Sequence, residues 1–95
     1  MDKLRLGEIE EHVFGVFSEA GRGKLLAREL FASSQLYPVA DLVRALAHLE
    51  EVSRLLVRYT KEGNDWVALT TEGARLAEVP ADLPEALPHP PRSST

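Results

Sequence analysis

The residues that could carry out catalysis or bind a metal are few and widely spaced in this chain of 95 residues. Its three histidines, His12, His48 and His89, lie far apart, and none has a second histidine or a carboxylate at a recognisable metal-ligand spacing. The adjacent acids at 10–11 and 50–51 diverge on a helix, and no local motif suggests a Ser, His and Asp set. The chain has no cysteine, so thiolate ligands and disulfide bonds are excluded. We expect no enzymatic activity, no metal and no cofactor.

The segment Gly21-Arg22-Gly23-Lys24 comes nearest to a phosphate-binding loop. It lacks the GxxxxGK[ST] spacing and does not follow a clear strand, so we interpret it as a linker between two helices. A phosphate group could still bind there, at the start of the next helix, beside the side chains of Arg22 and Lys24. The sequence therefore predicts at most an anion contact at this position.

Charge is distributed unevenly along the chain, although the formal net charge is only −4. Residues 8–20 contain four acids and no base, whereas residues 21–61 contain seven bases and four acids, a difference of +3. A surplus of this size fits a surface that contacts phosphates about as well as a merely solvated surface. Charge alone therefore leaves both interpretations open.

Apolar residues at three- and four-residue spacing predict three helices. The first covers residues near 8–20 and carries several glutamates in its first turn, where the helix dipole favours acids. The second covers residues 24–32, after the glycine-rich linker. The third covers residues 38–52, because Pro38 suits the first helical position, where a missing N–H has no intrahelical partner.

The third predicted helix has two faces of different character. The face expected to pack inward carries Val39, Leu42, Leu46 and Leu49. The opposite face carries Asp41, Arg44, His48 and Glu51. One face of this helix is therefore expected to join the core, and the other is available for binding.

A β-hairpin is predicted at residues 55–70, because alternating apolar residues lie on both sides of a turn sequence around Gly63-Asn64. If Leu69 packs inward, Val67 shares its face. Trp66 and Ala68 then point the other way, and the tryptophan is left at least partly exposed.

Thr70 or Thr71 can cap a last helix, whose Leu76 and Val79 are expected to return to the core. From residue 80 the composition changes, because five of the six prolines lie in residues 80–95. We therefore predict one domain at residues 1–79 and an extended or disordered tail at 80–95.

Three stretches of sequence resemble the winged helix-turn-helix regulators, with the MarR-like and PadR-like families nearest. They are Leu46-Ala47-His48-Leu49-Glu50-Glu51, Leu56-Val57-Arg58-Tyr59 and Trp66-Val67-Ala68-Leu69-Thr70-Thr71-Glu72-Gly73. The most specific piece is Leu69-Thr70 followed by Glu72-Gly73, where such families end the wing and cap the next helix. The resemblance covers about half of the chain. It implies an α+β fold of three helices, a two-stranded β-hairpin wing and a C-terminal helix.

The chain departs from these families at the end of the third helix. They usually have a glycine between the reading helix and the wing, whereas this chain reads Val52-Ser53-Arg54. Glycine adopts the left-handed backbone of a helix exit easily. Its absence predicts a helix exit of different shape.

The resemblance implies a transcriptional regulator that binds double-stranded DNA, with the third helix in the major groove and the wing on the backbone. Arg44 is then the expected guanine reader. The side chains expected to contact DNA are Arg22, Lys24, Gln35, Tyr37, Arg44, His48, Arg58 and Lys61. A homodimer is expected, because one short reading helix gives too little specificity.

A second interpretation makes the same fold a protein interaction module without sequence-specific DNA binding. Trp66 would then be the anchor of a partner interface, together with the acidic first helix. The reading face lacks Ser, Thr, Asn and Lys, which favours a protein partner, whereas the charge gradient favours DNA.

The expected location is the cytoplasm. The N-terminus has no apolar run of signal-peptide length, and no segment approaches the roughly 18 apolar residues of a membrane span.

Overall fold

A computed structural model of the protein describes the backbone of residues 3–84, with side chains from Gly7 onward. Within this part of the chain, four helices accompany one three-stranded antiparallel sheet, so the fold is mixed α and β. In chain order the elements are α1 (Lys3–Ala20), β1 (Lys24–Leu26), α2 (Ala27–Ala32), α3 (Val39–Glu51), β2 (Leu56–Lys61), β3 (Asn64–Leu69) and α4 (Thr71–Ala77). Residues 85–95, which hold most of the predicted tail and His89, lie outside the described residues.

Residues Lys24–Leu26 form a strand, β1, and are not the start of the second helix, as the sequence predicted. β1 pairs antiparallel with β3, and Leu25 lies opposite Val67. This pairing satisfies backbone groups on an edge of β3 that a two-stranded hairpin would leave open. The sheet order is β1-β3-β2, one strand more than predicted. Three residues are too few to display a strand period, so the sequence pattern does not separate β1 from α2.

The β2–β3 hairpin turns through Glu62 and Gly63, which have φ values of 54° and 79°. Lys61 and Asn64, on either side of them, are paired across the ladder. Two consecutive positive φ values between paired strand residues define the type I′ turn, whose twist matches that of the strands. The turn therefore lies one residue earlier than the Gly63-Asn64 centre expected from the sequence.

The core lies between α1, α3, α4 and the sheet. Its fully buried apolar side chains come from every layer, and the largest are Phe17, Ile9, Leu30, Leu42, Leu46, Leu49, Leu56, Leu69, Val13 and Val67. Burying one such side chain contributes roughly 1.5 to 3 kcal/mol relative to leaving it in water. The three leucines of α3 that were predicted to face inward are all in this set.

Two residues that were predicted to face the core are exposed. Val39 is 64% exposed and Leu76 is 62% exposed. Helical side chains tilt toward the helix N-terminus, so that of Val39, at the first position of α3, extends beyond the core. In α4 the buried side chains are Ala74 and Ala77, and Leu76 faces the other way.

The chain leaves α3 through a left-handed residue, Arg54, whose φ is 57°. The N–H groups of Val52 and Ser53 both donate to the carbonyl of His48, which closes the helix end. The conformation that glycine adopts easily is thus taken by an arginine, at a cost of about 1 kcal/mol.

The segment after α4 returns to the sheet. A Cβ atom added at Gly23 would lie 2.2 Å from the carbonyl oxygen of Pro80 and 3.1 Å from the backbone nitrogen of Asp82. Residues 80–82 therefore pack directly against the start of β1.

Ala68, which was predicted to point outward with Trp66, is fully buried. The sheet face opposite the main core is thus partly covered, and the first residues after the predicted domain end contact the domain.

Candidate nucleic-acid interface

The outward face of α3 combines one guanidinium with small apolar side chains. Ala40, Val43 and Arg44 are exposed, and Ala47 is half-buried. These residues recur at i, i+3, i+4 and i+7, so they form one line along the helix, which we call the α3 stripe. The opposite side of the same helix carries the buried Leu42, Ala45, Leu46 and Leu49. The core packing of α3 therefore fixes which residues the stripe presents.

Arg44 and Lys61 remain able to contact a ligand. Both side chains are exposed, and neither forms an ion pair with another described residue. Arg44 lies in the middle of the α3 stripe, and Lys61 ends β2 beside the hairpin turn. Gln35, in the turn before α3, is also exposed.

Two other predicted DNA contacts, Tyr37 and His48, form hydrogen bonds with side chains of α1. The Tyr37 hydroxyl donates to Glu8 Oε2 at 3.2 Å, and its ring meets that of His12 edge-on with centroids 5.2 Å apart. The Nδ1 atom of His48 lies 2.5 Å from Glu10 Oε2. These contacts attach the turn before α3 and the C-terminal half of α3 to α1. In this structure the two side chains position the α3 stripe.

Arg58 attaches β2 to α3. Its Nε donates to Glu50 Oε1 at 2.9 Å, and its backbone N–H donates to Glu50 Oε2 at 3.3 Å. The Glu50 side chain is only 9% exposed. Removing the partner of such a carboxylate would leave a charge without compensation. Arg58 therefore stabilises the contact between the hairpin and α3, and this role does not depend on DNA.

The predicted anion site at the start of α2 is occupied by a side chain of the protein. Glu29 Oε1 accepts a hydrogen bond from the Leu26 N–H at 3.0 Å and lies 3.2 Å from the Arg22 guanidinium. A phosphate would have to displace this carboxylate from both donors. The environment of Arg22 thus offers little to an external anion.

Trp66, the predicted partner anchor, is half-buried on the outer face of the sheet. Lys24 Nζ lies 4.9 Å from the centroid of its ring, within the range of a cation–π contact. Trp66 lies opposite Tyr59 of β2, which is 6% exposed. Burial raises the pKa of Tyr59 above 10.0, and the nearby carboxylate of Asp82 raises it further. The indole is therefore partly covered by the protein's own residues.

Sequence patterns did not single out the exposed apolar residues on and next to α3. Leu36 is 89% exposed in the turn before the helix, close in sequence to the exposed Val39 and Val43. Turn residues have no period, so only the three-dimensional structure identifies Leu36 as a surface residue. The carboxylates that bind His48 and Arg58 were missed as well, since the partners lie on other elements.

The described residues hold no group of three His, Asp or Glu side chains that could bind a metal ion. An open groove of about 660 Å³ lies between α1 and α2, with His12, Arg22 and Glu29 in its lining. Arg22 and Glu29 are bonded to each other, and His12 shares a hydrogen bond with Ser34 at 2.9 Å. Within residues 3–84, no helix combines the length and the apolar character of a membrane span.

Comparisons with models of known protein families, with curated proteins and with solved structures found no match for this chain. The fold and the surface of α3 and the hairpin are therefore the features that bear on function.

Proposed function

We propose that this chain is a winged helix-turn-helix DNA-binding regulator, in which α3 enters the major groove and the β2–β3 hairpin is the wing. The observation that carries the proposal is the element order α1-β1-α2-α3-β2-β3 with the sheet order β1-β3-β2. In this arrangement α1 supports α3 from behind and the hairpin lies beside it. α3 contacts both α1 and β2, and the α3 stripe and the hairpin turn both carry exposed residues, which supports the assignment of a reading helix and a wing.

Arg44 and Lys61 have different tasks in this proposal. A guanidinium can donate two hydrogen bonds to O6 and N7 of one guanine, so Arg44 contributes sequence discrimination. The flexible ammonium of Lys61 meets a backbone phosphate, which every sequence presents. Specificity and general affinity are therefore assigned to two separate elements.

A homodimer completes the proposal. A reading helix of 13 residues contacts few base pairs, and two copies on half-sites about 34 Å apart double the number of bases that are read. The proposed site is accordingly a pseudo-palindrome.

The proposal is tested by fluorescence anisotropy with duplex DNA at two salt concentrations. A duplex selected by the wild-type chain from a random library is compared with a mixed-sequence duplex. We expect Arg44→Ala to reduce the discrimination between them by about 1 to 3 kcal/mol. We expect Lys61→Ala to weaken binding to both duplexes nearly equally and to flatten the salt dependence.

Arg75→Ala is the matched control, because it removes one exposed positive charge from α4, where Arg75 pairs with Glu72. It should change neither discrimination nor salt dependence by a comparable amount. If the wild-type protein binds no duplex even at about 50 mM salt, where electrostatic association is strong, the proposal is wrong.

A second candidate function is a protein interaction module, and the exposure of Leu36 and Val39 favours it. Leu36 is 89% exposed just before α3 and Val39 is 64% exposed at its first position, and exposed apolar side chains of this size are typical of a protein contact. The simplest partner is a second copy of the chain. Sedimentation equilibrium should then show self-association that Leu36→Ser weakens, whereas Leu76→Ser, on α4, leaves it unchanged. Since the DNA-binding proposal also includes a homodimer, the second function additionally requires that the wild-type chain bind no duplex DNA at about 50 mM salt.

A further inference from the structure

We infer that the DNA bound by α3 has thymines next to the guanine contacted by Arg44, recognised through their C5 methyl groups. This inference rests on the proposed DNA binding and adds the class of base that is read. Its basis is the composition of the α3 stripe, where Ala40, Val43 and Ala47 surround the one guanidinium. None of these three side chains can donate or accept a hydrogen bond.

The donor and acceptor pattern of the major groove explains why this composition selects thymine. Adenine is read by the amide of Asn or Gln, cytosine by a carboxylate, and guanine by Arg or Lys. Thymine alone among the four bases presents a methyl group to the groove. The acids at the margins of the stripe, Asp41 and Glu51, already interact with other groups of the protein. Within the α3 stripe, methyl contact is therefore the main base readout besides Arg44.

The dimensions of the stripe place these contacts close together. Ala47 lies seven positions after Ala40, which corresponds to about 10 Å of helix at roughly 1.5 Å per residue. That length matches about three base pairs at roughly 3.4 Å each. Arg44 lies within this length, so the thymines are expected one or two base pairs from the guanine.

The test removes single methyl groups from the DNA. The starting duplex is one selected from a random library by the full wild-type chain, and each thymine near the central guanine is replaced in turn by deoxyuridine. Loss of one contacted methyl should weaken binding about fourfold, since a buried methylene-sized group contributes roughly 0.8 kcal/mol. Val43→Ala should weaken binding to the thymine duplex and reduce the deoxyuridine effect at its position to less than about twofold.

Val52→Ala is the matched control, because Val52 is an exposed valine just after α3 and outside the stripe. It should leave every deoxyuridine effect unchanged. A selected sequence without thymine near the guanine, or deoxyuridine substitutions without effect, would overturn the inference while the proposed DNA binding stands. Absence of binding to any duplex at low salt would instead remove the proposed function, and the inference with it.

Discussion

Gly73, in the first turn of α4, lies where no side chain fits. A Cβ atom there would be 2.1 Å from the carbonyl oxygen of Leu55, which also accepts a hydrogen bond from the Thr70 N–H. The Gly73 N–H donates in turn to the Thr70 hydroxyl at 3.2 Å, so Thr70 is the N-cap of the helix. A glycine and a threonine at this spacing thus let the chain pass from β3 into α4 in close contact with the residue before β2.

We expect Gly73→Ala to lower the free energy of unfolding by about 1 to 3 kcal/mol, because the backbone of Leu55 would have to move. Gly15→Ala is the control, since Gly15 is exposed in α1 and its Cβ would meet open space. That change should raise stability by about 0.5 to 1 kcal/mol through the helix preference of alanine. Urea denaturation measures both. A stable Gly73→Ala variant would mean that α4 does not approach Leu55 so closely.

Single residues differ in how far the sequence could predict them. A threonine cap at position 70 or 71 was predicted, because the signal is local, and the structure has it at Thr70. The contact between His48 and Glu10 was not, since the two residues are 38 positions apart and no periodic pattern links them. The sequence left the side chains of His48 and Arg22 available for DNA. In the structure His48 pairs with Glu10 of α1, and Arg22 pairs with Glu29 of α2.

At the scale of elements, α3 joins the core on one side and presents the stripe on the other. Both depend on the same rotation of the helix about its axis, which Leu42, Leu46 and Leu49 fix by burial. The sequence predicted the burial of these leucines because the amphipathic period extends over the whole helix, but of the predicted outer face only Arg44 lies in the stripe. It did not predict β1, whose three residues become a strand only through pairing with β3. Whether these three residues form a strand is therefore decided by their pairing with a distant part of the chain.

We expect Leu46→Ala to lower the free energy of unfolding by about 2 to 5 kcal/mol, because Leu46 is 1% exposed and its loss leaves a cavity behind the stripe. Val39→Ala, at a position that is 64% exposed on the same helix, is the control and should stay within about 0.5 kcal/mol of wild type. Thermal denaturation followed by circular dichroism compares them. An unchanged melting temperature for Leu46→Ala would show that α3 packs through another face.

At the scale of the whole molecule, both faces of the sheet are at least partly covered by other described parts of the chain. The helices cover one face, and residues 80–82 pack against Gly23 beside the other. On that second face Tyr59 is buried and near Asp82, although Asp82 lies in the segment predicted as a tail. The proline content of that segment gave no sign of this packing, since prolines occur in docked and in solvated extended segments alike.

The burial of Tyr59 makes the stability of the domain sensitive to alkaline pH. Its pKa in the folded state is raised above 10.0 by burial and then by Asp82. The unfolded chain therefore loses the phenol proton first as pH rises, and ionisation favours unfolding. The contribution of the neutral phenol is fully present below about pH 10 and is lost as pH rises through the folded pKa. Denaturant titrations of wild type and Tyr59→Phe from below about pH 10 upward should show a loss of stability in wild type that the variant partly avoids. Asp82→Asn should make the phenol-dependent loss smaller and leave its onset unchanged, because it removes one cause of the raised pKa of the folded state and does not affect the unfolded chain. Equal losses in wild type and Tyr59→Phe would mean that the phenol is open to water and that the segment after α4 does not cover this face of the sheet.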